Sequence, residues 1–174
     1  MWHRVAVSKI DTRPEPPLNG SERETLNGFL DFLRGTIRWK CDGLTDEQAR
    51  RALLPSELTT VAGLVGHLGY VEQYWFEVVL AGEPDRWAEA LASDPDAEFR
   101  RALDLPLATL LDRYEAQCER SRRIAADREL DDEVPFRGGV VSVRFVLTHL
   151  IEETGRHAGH LDVLRELIDG RTGE

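Results

Sequence analysis

No uninterrupted apolar run of about 18 residues occurs in this chain, so nothing in it reads as a membrane-spanning helix. Cysteine is nearly missing. Cys41 and Cys118 stand far apart and outside any C-x-x-C spacing. That excludes a disulfide framework and a thiolate zinc knuckle, and leaves both as ordinary helix-face residues. Positive charge is in deficit: 22 Lys and Arg stand against 32 Asp and Glu, a net charge of −10. Nucleic-acid phosphates and anionic membranes both call for a basic stripe, so neither is an expected partner. Residues 1–8 lack a long apolar core and a small-residue cleavage site, so no secretory signal is expected and the reading is a cytoplasmic protein. Internal repeats and low-complexity tracts are also missing.

What is present is helical periodicity. The 174 residues suit one domain with a sizeable core, taken as 1–174 with residues 1–20 as an extended arm rich in proline. Ser21 and Glu24 form a capping-box pattern. It opens a helix through Leu26, Phe29, Leu30, Leu33, Ile37 and Trp39 that ends near Gly43. Thr45 starts a short helix stopped by Pro55. Thr59 or Thr60 caps a long helix through Leu64, His67, Leu68, Val71, Trp75 and Val79 to Gly82. Residues 83–104 read as a polar loop with short helical pieces. Pro106 suits the first turn of a helix from 107 to about 127. Residues 133–141 are the one place with strand character, a short hairpin or extended piece beside the site. Ser142 caps the last long helix, 143 to 168, with Gly170 just past its end. The expected fold is all-α: a four-helix bundle with extra short helices in the connections.

The last helix carries the chemistry. His149, Glu153, His157 and His160 recur at spacings of four, four and three. At about 100° per residue, all four fall within roughly 80° of one helix face. Neighbours at i+3 or i+4 can grip one ion together. A lone histidine on such a face is more often a core residue. A graded row is harder to dismiss, because each buried imidazole or carboxylate needs a partner.

A useful site needs a ligand from a second element, and His67 is the strongest candidate, since it points inward with Leu64 and Val71. The competing reading is a core histidine bonded to Tyr74 or to a carbonyl. His157 belongs to two of the three pairs in the row. Glu153 and His160 lie about 10.5 Å apart along the helix, too far to share one ion comfortably. A set of His67, Glu153 and His157 suits zinc, with nickel, iron or manganese open, and three protein ligands leave a position for water or substrate. His149, Glu152, Arg156 and His160 are available to hold the ligands from behind, or as solvated face residues.

These residues resemble the DinB-like superfamily of metal-binding four-helix bundles. The matching parts are Leu64-Val-Gly-His67-Leu-Gly-Tyr-Val-Glu-Gln-Tyr-Trp75-Phe and the segment from His149 to Leu164. Many members carry a His on the second long helix and a His-x-x-x-His pair on the last. The resemblance puts His157 at the final ligand and Glu153 at the first ligand of the pair, a departure from three histidines. The set is similar to that of the mycothiol-dependent maleylpyruvate isomerase branch, and whether Glu153 or His160 completes the site stays open. The stretch around Arg156-His157-Ala158-Gly159-His160, with Trp39–Thr45 earlier, looks like the mini-circle proteins, a subgroup that includes mycothiol S-transferases.

The resemblance implies a metal-dependent S-transferase that joins a low-molecular-weight thiol such as mycothiol to an electrophilic small molecule. His160 is the catalytic candidate, accepting the thiol proton or orienting the co-substrate. Arg156 is the cofactor-binding candidate and Arg137 a second anion binder, with an exposed salt bridge as the competing role for each. The alternatives are a metal-dependent hydrolase or thiol-dependent isomerase, and a non-enzymatic metal-binding or partner-binding bundle. A homodimer is open as an assembly state, and Trp2, Trp75 and Trp87 are candidates to line either its interface or the pocket.

Overall fold

A computed structural model describes residues 13–172. Residues 1–12, which include Trp2 and most of the expected arm, lie outside the described residues, as do 173 and 174. The helices, in order, are α1 (Glu22–Cys41), α2 (Asp46–Arg50), α3 (Val61–Glu72), α4 (Ala88–Ser93), α5 (Ala97–Ala102), α6 (Leu107–Ala126) and α7 (Val143–Asp169). A two-stranded antiparallel hairpin, β1 (Glu133–Phe136) and β2 (Gly139–Ser142), precedes α7. The all-α class expected from periodicity holds. Among the described residues no helix is long and apolar enough to cross a membrane.

The caps follow from the sequence. Ser21 Oγ accepts from the Glu24 amide, and the Glu24 carboxylate accepts from the Ser21 amide at 2.7 Å. Thr60 rather than Thr59 caps α3, accepting from the Gly63 amide at 2.9 Å. Ser142 caps α7, and Gly170 ends it with φ of 75°, the left-handed conformation glycine adopts without steric cost. Pro106 sits at the cap position just before α6 rather than inside its first turn. α2 stops at Arg50, five residues short of Pro55, where the Arg50 guanidinium donates to the Leu103 and Leu105 carbonyls at 2.7 and 2.9 Å.

The helix after Thr60 differs from expectation in its second half. It continues past Glu72 as a π-helical segment, Gln73–Leu80, rather than an α-helix. Its wide turns hold Phe76 and Leu80 in the core together with Glu77, whose carboxylate meets Arg86 and Arg120, each at 2.7 Å. Such segments are rare and concentrate near functional places.

α1 packs on α7, while α3 packs on α5, α6 and α7. The apolar core has two parts. One gathers Ile37, Cys41, Leu64, Leu68, Tyr114 and Leu161, and the other Leu30, Val71, Phe76, Val146, Leu147 and Leu150. Buried polar residues accompany this core on every long helix, among them Arg34 on α1, Glu72 on α3, Ser121 on α6 and Thr154 on α7. Arg34 grips Glu72 with two hydrogen bonds of 2.7 Å, the bidentate geometry a buried ion pair needs to offset its desolvation. Both cysteines are buried and unpaired, and burial pushes the Cys41 thiol up to about 12.

Candidate metal centre

α3 and α7 run antiparallel across the molecule, as their contacts require: His67 meets Glu153 and His157, whereas Trp75, further along the same path, meets His149 nearer the start of α7. Glu153 Oε1 is the meeting point of the trio. It lies 3.3 Å from His67 Nε2 and 3.1 Å from His157 Nε2. One ligand atom from each of the three lies within 4.8 Å of the others. The two imidazole rings meet edge to face, centroids 5.0 Å apart.

The rear nitrogens are also engaged. His67 Nδ1 lies 3.2 Å from Glu98 Oε1, and His157 Nδ1 lies 3.2 Å from His160 Nδ1. An imidazole whose Nε2 lone pair is free for a cation carries its proton on Nδ1. Those protons then have ready acceptors in Glu98 and His160. A hydrogen-bonded rear nitrogen is the arrangement that fixes the ring of a metal-ligating histidine. Two imidazole nitrogens and a carboxylate oxygen converging on one spot fit a zinc-like divalent cation.

Glu98 reaches His67 because α5 lies unusually close to α3. A Cβ on Gly66 would stand 2.5 Å from the Ala102 Cβ and 3.1 Å from the Glu98 carbonyl oxygen, so only glycine admits this approach. The same contact stacks Phe99 on the His67 ring, centroids 4.5 Å apart.

The electrostatics suit a ligand set. Burial lowers the His157 pKa below its ordinary 6.5, and the neighbouring His67 lowers it further, against the pull of Glu153. The ring is therefore neutral at pH 7, the form that binds a metal. Burial alone would raise Glu153, but the hydrogen bond from His67 and the interactions with His157 and Arg156 outweigh it and hold the carboxyl below 4.5.

The remaining candidates fall in different places. Arg156 is 54 % exposed and pairs with Glu152 and, at 3.4 Å, with Glu153 Oε2, so it braces the outer oxygen of the central carboxylate. His149 lies among aromatics, its ring centroid 4.7 Å from Trp75 and 6.0 Å from Phe145. Tyr74 does not bond His67. Its ring neighbours are Tyr70 and Trp75. The hairpin packs through Phe136 on Trp75, at the His149 end rather than beside the trio. Arg137, at the hairpin tip with φ of 47°, lies over the Phe136 ring.

A family model described as mycothiol-S-transferase matches residues 25–170, most of the chain and both helices that carry the trio. The chain belongs to the mycothiol S-transferase family. This family is part of the DinB-like superfamily, and it makes a transferase the expected class of activity. No curated protein and no solved structure matches the chain.

Within this family member, Glu98 is the site residue that sequence reasoning missed. It lies in the polar stretch 83–104, where no ligand spacing or apolar periodicity marks it. The one available signal was the paired small residues, Gly66 and Ala102, which permit α5 to close on α3.

Proposed function

We propose that this mycothiol S-transferase family member uses His67, Glu153 and His157 to hold one divalent cation, zinc by donor chemistry, and joins a mycothiol-type thiol to an electrophilic small molecule. The single observation that supports this most is the convergence of three ligand atoms within 4.8 Å, with both rear imidazole nitrogens already hydrogen-bonded. A bound divalent cation supplies positive charge that favours thiolate over thiol, and the thiolate is the nucleophile. In the transfer a sulfur–carbon bond forms, the bond to the leaving group breaks, and the thiol proton passes to a base or to solvent. Glu98 and His160 stand where they can accept the Nδ1 protons once a cation replaces the Nε2 contacts to Glu153. His160 Nδ1 is taken by His157, which favours a positioning role over that of proton acceptor. Arg156 holds the outer oxygen of Glu153, and anchoring of an anionic substrate group would compete with that contact.

The test is a spectrophotometric conjugation assay with mycothiol and 1-chloro-2,4-dinitrobenzene, on zinc-loaded and chelated protein. Loaded protein is expected to accelerate arylation of sulfur with release of chloride, and chelated protein to fall to the uncatalysed rate. Equal rates in the two, both above background, would overturn the metal-dependent reading. Product formed without thiol would assign a hydrolase instead.

A further inference from the structure

A second site lies on the other side of Glu98. A cavity of about 620 Å³ is bounded by α3, the π-helical segment, α5, α6 and the chain before α4, within the size range of small-molecule pockets. None of His67, Glu153 and His157 lines it, and the lining residue Glu98 hydrogen-bonds His67.

Its walls are cationic in a chain whose net charge is −10. Arg86, Arg101, Arg113 and Arg120 line it, against the single carboxylate of Glu98. Arg86 and Arg120 are engaged by Glu77, and Arg120 also by Glu83. Arg101 lies over the Trp87 ring, 5.2 Å from its centroid. Neither Arg101 nor Arg113 has a carboxylate partner among the described residues. Exposed arginines alone are ordinary surface chemistry, so the deciding observation lies beneath them.

Four cavity residues are more than nine-tenths buried: Gln73 at 3 % exposure, Tyr114 at 2 %, Glu98 at 5 % and Gln117 at 9 %. Three carry a buried polar atom with no hydrogen-bond partner, Gln73 Nε2, Glu98 Oε2 and Gln117 Nε2, while the Tyr114 hydroxyl meets the Cys118 thiol beside the Arg34–Glu72 pair. Native interiors rarely leave such atoms unpaired, and three among the residues of one cavity mark a place that another molecule completes. Two are amide donors. The third is the outer oxygen of Glu98, an acceptor. Donors and cations therefore outnumber acceptors, and the complement is a ligand rich in acceptor oxygens. Val65, Leu105, Leu110 and Trp87 supply an apolar wall for its body.

We propose that this cavity binds a small aromatic carboxylate, its anionic end held by Arg101 and Arg113 and its acceptor oxygens meeting the buried amide donors of Gln73 and Gln117. The site is independent of any metal at the trio. Glu98 joins the two places: it lines the cavity, one of its oxygens meets His67, and the other is buried without a hydrogen-bond partner.

Isothermal titration with benzoate tests it, on the full chain as purified and after chelation, with benzyl alcohol as the uncharged counterpart. Benzoate is expected to bind both preparations alike, and benzyl alcohol at least about tenfold more weakly. The double variant Arg101→Ala/Arg113→Ala changes exposed residues only and is expected to weaken benzoate by at least about tenfold. Gln117→Leu, close to isosteric, is expected to weaken it without altering the two arginines. Absence of benzoate binding up to about 10 mM would overturn the proposal. So would equal affinity in the double variant. Loss of binding on chelation would do the same, because it would place the anion on the metal rather than in the cavity.

Discussion

His149 and His157 occupy one face of α7, about 12 Å apart along the axis, and their surroundings have nothing in common. His157 faces another imidazole and a carboxylate. His149 faces Trp75 and Phe145. Both are equally good ligands by type and by spacing. What separates them is the facing helix. α3 brings His67 opposite Glu153 and His157, and one stretch further the π-helical segment brings Trp75 opposite His149. A periodic row of ligand-type residues is thus an offer, and the opposing element decides which part of the row becomes a polar cluster and which becomes an aromatic one.

That contrast can be broken most directly by truncating each histidine. His157→Ala is expected to abolish metal uptake, a loss beyond the roughly 10- to 100-fold typical of an outer hydrogen-bond partner, while His149→Ala keeps one ion per chain. Elemental analysis after zinc reconstitution checks both, and equal loss in the two variants would erase the distinction. The next largest effect tests what joins the two ends. Arg34→Met leaves Glu72 buried and unpaired and is expected to cost about 3–5 kcal/mol in urea unfolding, with most of it recovered in Arg34→Met/Glu72→Leu. Glu98→Ala, aimed at one end only, is expected to weaken zinc about 10- to 100-fold in competition with a chelating dye, with little change in the near-ultraviolet signal of the Trp75 end.

The smallest effect is in pH. Because His157 is held below 6.5 in the folded chain, zinc retention is expected to be flat as pH falls to 6.5 and to drop only below it. The sign for the metal-free chain follows from the same shift. A histidine with a lowered folded pKa binds fewer protons folded than unfolded, so its contribution to stability declines as pH falls through 6.5. A fall in metal retention already complete above 6.5 would contradict the buried, neutral ring.

The long helices and their caps were legible because Ser21, Thr60 and Ser142 act through local hydrogen bonds that the sequence alone specifies. His67, Glu153 and His157 were legible as candidates because helical spacing places ligand types on inward faces. The divergence of His149 was not legible, since it depends on how far α3 slides along α7. Nor was Glu98, whose position rests on Gly66 admitting α5. The cavity arginines were hidden for a related reason. Arg86, Arg101, Arg113 and Arg120 come from three stretches of chain, and only Arg113 and Arg120 share a helical spacing. The π-helical turns after Glu72 have no composition signature in Gln73–Leu80 that separates them from an α-helix.

Arg165 gives this architecture a timetable. Its guanidinium holds the carbonyls of Lys40 and Asp42 at 2.6 and 2.7 Å, across 125 and 123 residues of sequence. These are the orphan acceptors at the exit of α1. During synthesis that helix emerges early, but its end stays unfastened until α7 has been made. The chain therefore cannot lock its first helix piecemeal as it leaves the ribosome. Locking of that end waits for the last one, whereas α3 can already pack on α5 and α6.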